Sequence, residues 1–169
     1  MLYFLSQLSD GGDFFNLFRY ITFRSGGAFF TSLILSFAFG QPLINYLKRM
    51  QKKGQPIRED GPESHIVAKA GTPTMGGMLI LGTMTVSTLL WARSDNGYVW
   101  VVLLVTIGFA AIGFLDDYLK VTKQTVAGFS SKARLLLGFL IALIASVVVA
   151  RLHPEDLSQM LAVPVFKNA

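Results

Sequence analysis

Four runs of nearly unbroken apolar residues, 26–47, 75–91, 98–115 and 135–152, alternate with segments that hold most of the charge. An α-helix rises 1.5 Å per residue, so roughly 17 to 25 apolar residues cross the hydrocarbon of a bilayer. Each run fits that window, the last by letting Arg151 snorkel to the headgroups. Barrel strands would alternate apolar and polar positions over about ten residues, so continuous apolarity predicts helices. The expected fold is therefore all-α, a polytopic membrane bundle with four spanning helices in one membrane domain over residues 1–169.

Composition agrees with this pattern. Hydrophobic residues make up 52% of the chain and charged residues 15%, with a mean hydropathy of +0.51, against roughly 25% charged in soluble domains. A net charge of +5 would suit a nucleic-acid binder if the basic residues lay on one face, but they cluster between the spans, so no nucleic-acid partner is expected. The absence of cysteine excludes disulfide scaffolds, Cys-ligated metals and thiol catalysis.

Ten of the fifteen Lys and Arg residues lie in two segments, 48–74 and 116–134. The positive-inside rule places both segments in the cytoplasm and both termini outside. Residues 1–8 lack a cationic stretch before an apolar one and do not read as a cleavable signal. Phe14, Phe15, Leu17, Phe18, Tyr20, Ile21 and Phe23 surround Arg19, which suits either a short surface helix or an extension of the first span. Within that span Ser32, Ser36 and Gly40 align small residues on one face for close helix contact, and Pro42 suggests a kink. Asp95, Asn96 and Gly97 predict a tight turn between the second and third spans.

Asp116 and Asp117 stand where the third apolar run ends. A carboxylate close to hydrocarbon is costly unless a cation, a metal or hydrogen-bond donors compensate it, which makes the pair a candidate site. The alternative is a helix end at the water interface. Lys120 lies one turn on and is a candidate counter-ion. Residues 69–77 (Lys69, Ala70, Gly71, Thr72, Pro73, Thr74, Met75, Gly76, Gly77) open the second span with glycines and hydroxyls at a helix start. Such a start suits phosphate, or simple helix entry and packing. It is not a Walker loop, because Gly77 and Met78 stand where Lys and Ser or Thr are required. Lys123, Gly128, Ser130, Ser131, Lys132 and Arg134 suit either phosphate oxygens or anionic lipid heads. His65 and His153 fall on opposite sides of the membrane in this topology, so they form no paired-histidine metal site.

Taken together, Asp60, Gly61, Pro62, Glu63, Ser64 and His65, then Lys69, the run Gly71 to Gly77, and Gly113, Phe114, Leu115, Asp116, Asp117 and Tyr118 resemble the phospho-N-acetylmuramoyl-pentapeptide-transferase family. The resemblance implies a bundle of ten helices, of which this chain supplies about the first half. It implies an enzyme of the bacterial inner membrane in peptidoglycan synthesis. That enzyme moves phospho-N-acetylmuramoyl-pentapeptide from its UDP carrier to undecaprenyl phosphate, giving lipid I and UMP. It also implies Mg2+ as cofactor, with Asp116 and Asp117 as catalytic and metal-binding residues. Lys69, Gly71, Thr72, Thr74, Lys120 and Lys132 are the expected substrate-binding residues. The expected partners are the two substrates, the lipid bilayer and the missing C-terminal half, and a homodimer is compatible with this reading. Without that half the chain is expected to be inactive. Two other readings fit the same residues: a related polyprenyl-phosphate sugar-phosphate transferase, and a non-catalytic four-helix membrane subunit.

Overall fold

The computed structural model describes residues 1–51, 73–124 and 128–152. These residues form helices and no strands. Two 3₁₀ segments, Leu2–Leu8 and Phe14–Arg19, precede α1 (Ile21–Met50), α2 (Gly77–Trp91), α3 (Gly97–Lys123) and α4 (Ser131–Leu152). The aromatic segment divides between the two readings: Phe14–Arg19 is a short helix of its own, Tyr20 is extended, and Ile21 and Phe23 belong to the first turn of α1.

Three of the four, α1, α3 and α4, are long and apolar enough to cross a membrane. At 15 residues α2 is shorter, roughly 22 Å by its rise, and it begins at Gly77 instead of Met75. Met75 sits in the left-handed region at φ 73°, which an L-residue cannot carry into a right-handed helix. The third helix goes the other way. It runs about two turns past Leu115, through both aspartates, to Lys123, so much of the segment expected as a loop is helical. Polar residues prolong it because the bundle gives them partners, which an apolar window cannot register. Pro42 lies inside α1, which continues to Met50.

The helices form two antiparallel pairs, α1 with α2 and α3 with α4. In the first pair the small-residue face of α1 is the contact face: Ser36 Oγ donates to Thr83 Oγ1 at 3.5 Å, and a Cβ on Gly40 would stand 3.7 Å from Leu79 Cδ2. In the second pair each helix offers a glycine to a large side chain of the other. Ile141 Cδ1 lies 3.0 Å from where a Gly108 Cβ would stand, and Phe109 Cε1 lies 3.3 Å from the corresponding point of Gly138. Such close approach replaces the hydrophobic drive that lipid cancels. The outer faces stay apolar and exposed, with Phe37 79% and Leu135 76% accessible, as a surface solvated by acyl chains requires.

The bundle has two distinct ends. At one, Trp91 closes α2, its ring stacked on Phe18 (6.0 Å, 14°) and edge-on to Phe23. At the other, the end of α1, the entry to α2, the last turns of α3 and the start of α4 bring the acidic residues together.

Candidate functional site

The site is built on the polar extension of α3. Successive residues on a helix diverge by about 100°, so Asp116 and Asp117 cannot face the same neighbours. Asp116 is buried at 7% accessibility and faces α4. Its Oδ2 pairs with Lys120 Nζ at 2.7 Å, one turn along α3, and its Oδ1 accepts from Arg134 Nη2 at 2.6 Å and the Phe129 N–H at 2.7 Å. Gly128 packs so closely on this carboxylate that a side chain there would collide with it. A buried carboxylate keeps its charge only when such donors replace water.

Asp117 is half-buried and faces the entry of α2. Its Oδ2 accepts the Thr74 hydroxyl at 3.0 Å. The other oxygen takes no hydrogen bond among the described residues. Thr74 is held in turn by Gln51, the C-terminal cap of α1: Thr74 N–H donates to Gln51 Oε1 at 2.9 Å, and Gln51 Nε2 donates to Thr74 O at 3.2 Å. Between α2 and α3 lies a cavity of about 300 Å³ lined by Met75, Gly77, Met78, Ala110, Gly113 and both aspartates. A second, of about 560 Å³, opens between α3 and α4 at Asp116, Arg134, Phe109 and Phe139.

Of the residues singled out from sequence, Asp116, Asp117, Thr74 and Lys120 therefore come together. Lys132 stands exposed on the first turn of α4, outside this network. Lys69, Gly71 and Thr72 lie outside the described residues, as does the stretch 60–65. Sequence reasoning missed Gln51 and the particular role of Arg134. No motif marks a glutamine at a helix end. Arg134 lies one turn into the next helix, so its pairing with Asp116 follows from packing alone.

A divalent cation of the magnesium type takes oxygen ligands, commonly one or two carboxylates with the rest from phosphate and water. The donor set fits such an ion at Asp117, which keeps one carboxylate oxygen without a partner among the described residues and lines the cavity between α2 and α3. At Asp116 an ion would have to share the oxygens with the cationic and N–H donors already on them. No cluster of three or more potential metal ligands occurs among the described residues. The arrangement can therefore present one carboxylate and two cations to an anionic group at the edge of an apolar bundle.

Comparison with known proteins gives a consistent picture. The family signature described as Phospho-N-acetylmuramoyl-pentapeptide-transferase signature 1 matches residues 69–81, the stretch that ends in α2 and includes Thr74. The chain is 64% identical over 168 residues, 99% of its length, to the phospho-N-acetylmuramoyl-pentapeptide-transferase of Dinoroseobacter shibae. Proteins of the same name from a Ruegeria species and from Ruegeria pomeroyi are 63% and 62% identical over the same share. The chain covers 46% of each, so it spans about half the length of the curated relatives it matches.

Proposed function

We propose that this chain, 63–64% identical over 99% of its length to relatives named phospho-N-acetylmuramoyl-pentapeptide-transferase, supplies the Asp116–Asp117 part of that phosphotransferase site. The observation that supports this most directly is the Asp117–Thr74 hydrogen bond. It joins the acidic turn of α3 to the signature segment, two stretches far apart in sequence that the reaction would need at one place.

The reaction transfers phospho-N-acetylmuramoyl-pentapeptide from UDP to undecaprenyl phosphate. An oxygen of the lipid phosphate attacks the phosphorus that carries the sugar, the bond to the second phosphate breaks, and UMP leaves. One substrate is a lipid and the other a water-soluble polyanion, so their phosphates meet only at the edge of the bilayer. The acidic end of the bundle, where the apolar run of α3 gives way to Asp116 and Asp117, suits such an edge. It also joins the segments rich in Lys and Arg, which supports a position on the cytoplasmic side of the membrane by the positive-inside rule.

In this reading Asp117 orients the phosphates and would hold Mg2+ through the carboxylate oxygen that has no partner among the described residues. When bound, the ion would neutralise charge on the phosphate oxygens. Asp116 holds Lys120 and Arg134 at the same edge, where their remaining N–H groups can take up negative charge developing in transfer. A phosphate monoester has a second pKa near about 6 and is mostly dianionic at neutral pH, so the attacking oxygen does not depend on a carboxylate to remove its proton. Lys69, Gly71, Thr72 and Lys132 complete the phosphate contacts in this proposal.

The test is UMP release in membranes by this chain, alone and co-expressed with the remaining half of the Dinoroseobacter shibae relative. Magnesium-dependent release is expected only with the second half, and Asp117→Asn is expected to lower it by at least about 100-fold, the order seen when one electrostatic contact to the transition state is removed. Near wild-type turnover of Asp117→Asn at saturating magnesium would refute the assignment.

A further inference from the structure

Gln51 is buried at 6% accessibility, yet it belongs to none of the stretches that the chemistry selects. Its backbone ends α1, with its N–H still bonded to Leu47 O at 2.8 Å. Its side-chain amide lies against the backbone of Thr74 and exchanges two hydrogen bonds with that one residue. A primary amide matched to both the N–H and the C=O of a single residue fixes position and orientation together, because rotation about either bond breaks the other.

The backbone just beyond Thr74 gives such a clamp its purpose. Met75 holds a positive φ of 73°, a conformation that a residue with a long side chain keeps only where its surroundings impose it. The clamp acts on the residue immediately before that turn. It leaves the Thr74 hydroxyl pointing at Asp117, 3.0 Å from Oδ2. A continuous chain of contacts thus runs from the end of α1, through the Gln51 amide, the Thr74 backbone and the Thr74 hydroxyl, to the carboxylate on α3.

We infer that Gln51 is a positioning residue: through Thr74 it fixes the rotamer of Asp117, so that this carboxylate is held in the lining of the cavity between α2 and α3. Any importance of this for phosphoryl transfer rests on the proposed function, but the clamp itself needs neither metal nor substrate. It also predicts selectivity. Asp116 is held by its own partners, Lys120, Arg134 and the Phe129 N–H, so losing Gln51 disturbs one carboxylate of the adjacent pair and leaves the other as it was.

The experiment uses the chain in lipid nanodiscs, without metal or nucleotide. It reads amide hydrogen exchange at Thr74 and the side-chain carboxyl carbon resonances of Asp116 and Asp117 at one neutral pH. Gln51→Ala is expected to speed Thr74 exchange by about five- to tenfold, the scale of one buried hydrogen bond, and to shift the Asp117 resonance while that of Asp116 stays in place. Gln51→Asn, one methylene too short for both bonds, should behave like the alanine variant. Gln51→Glu, which keeps the oxygen that accepts the Thr74 N–H, should fall between alanine and wild type in Thr74 exchange. Unchanged Thr74 exchange, or equal shifts of both aspartates, would overturn the inference, the second by reducing Gln51 to a general support of the fold. Because no catalytic readout is involved, an Asp117→Asn variant that remained active would sink the proposed function and leave the clamp standing.

Discussion

The two ends of the bundle are closed by different physics. At the aromatic end Phe18, Phe23 and Trp91 fill the space between α1 and α2 by shape, and the charges stay at the rim. There Arg93 pairs with Asp95 at 2.6 Å with both side chains more than 40% exposed, and Arg24 and Arg93 lie 5.0 and 4.6 Å from the Tyr3 ring centroid. At the acidic end the order is reversed: a carboxylate is buried and cations are drawn in to it. Aromatic packing itself costs no desolvation of charge, and there the partial burial of Arg24 is offset by its donation to Trp91 O, whereas the Asp116 arrangement buries a carboxylate outright. A fold that needed only closure could have used apolar contacts at both ends. The expensive solution stands where Asp117, Thr74 and two cavities also meet, which is what a binding site requires.

The contrast breaks most sharply at Asp116. Asp116→Ala leaves Lys120 and Arg134 without their counter-charge and the Phe129 N–H without an acceptor. Breaking a buried pair in this way is expected to cost about 3 kcal/mol, moderated because Arg134 is itself half exposed. Asp117→Ala removes one hydrogen bond and should cost about 1 kcal/mol. Unfolding in mixed micelles of rising dodecyl sulfate content measures both. Equal losses would mean that the two carboxylates share one structural role, with no division of labour between them.

At the aromatic end the expected loss comes from overpacking. Gly27 lies beneath Trp91, and a Cβ there would stand 2.6 Å from Cζ2 of the ring. The ring has little room to retreat, since its Nε1 donates to Thr31 Oγ1 at 2.9 Å and its face stacks on Phe18. Gly27→Ala is expected to destabilise by about 2 kcal/mol. The Asp116–Arg134 contact should be unaffected, as judged by their side-chain resonances. A shift of those resonances would show that the two ends are coupled.

A smaller effect is expected in the turn that joins the pairs. Asn96 caps α3, its side-chain oxygen accepting the Tyr98 N–H at 3.0 Å. Asn96→Ala should cost about 1 kcal/mol by loss of that cap, in the same micelle assay. A loss below a few tenths would mean that contacts elsewhere already hold the start of α3.

These expectations also show how far the sequence could be read. Apolar runs located α1 to α4, because lipid-facing residues are chosen for hydropathy alone, but not the 3₁₀ segment Leu2–Leu8. The small residues Ser36 and Gly40 fell on the contact face of α1, as close packing in lipid demands. The turn at Asn96 was legible because its chemistry is local. The extension of α3 to Lys123 was not, since helix beyond the apolar run depends on Arg134 and the Phe129 N–H arriving from elsewhere. The late start of α2 rests on the Met75 backbone, and methionine gives no sign of a positive φ. In the candidate site, the aspartate pair declared itself by charge beside hydrocarbon. Gln51, an uncharged residue acting through a backbone, gave no such signal.

The rim pair at the aromatic end provides the mildest test, and its sign is fixed by the geometry. The hydrogen bond from the Arg93 guanidinium, reinforced by its charge, holds the Asp95 carboxyl below the usual carboxylate range. A group depressed in this way supports the fold at pH values above its unfolded pKa and loses that support as the pH falls through the lower, folded value. Both side chains are solvated, so the contribution to stability should be too small to move an unfolding midpoint measurably. What should move is the titration of Asp95 itself. Followed by its carboxyl carbon resonance, its midpoint is expected below that of an ordinary aspartate and should return to the ordinary range in Arg93→Ala. A measurable loss of stability on acidification that Arg93→Ala abolishes would give this exposed pair the structural weight of Asp116, and would erase the difference between the two ends.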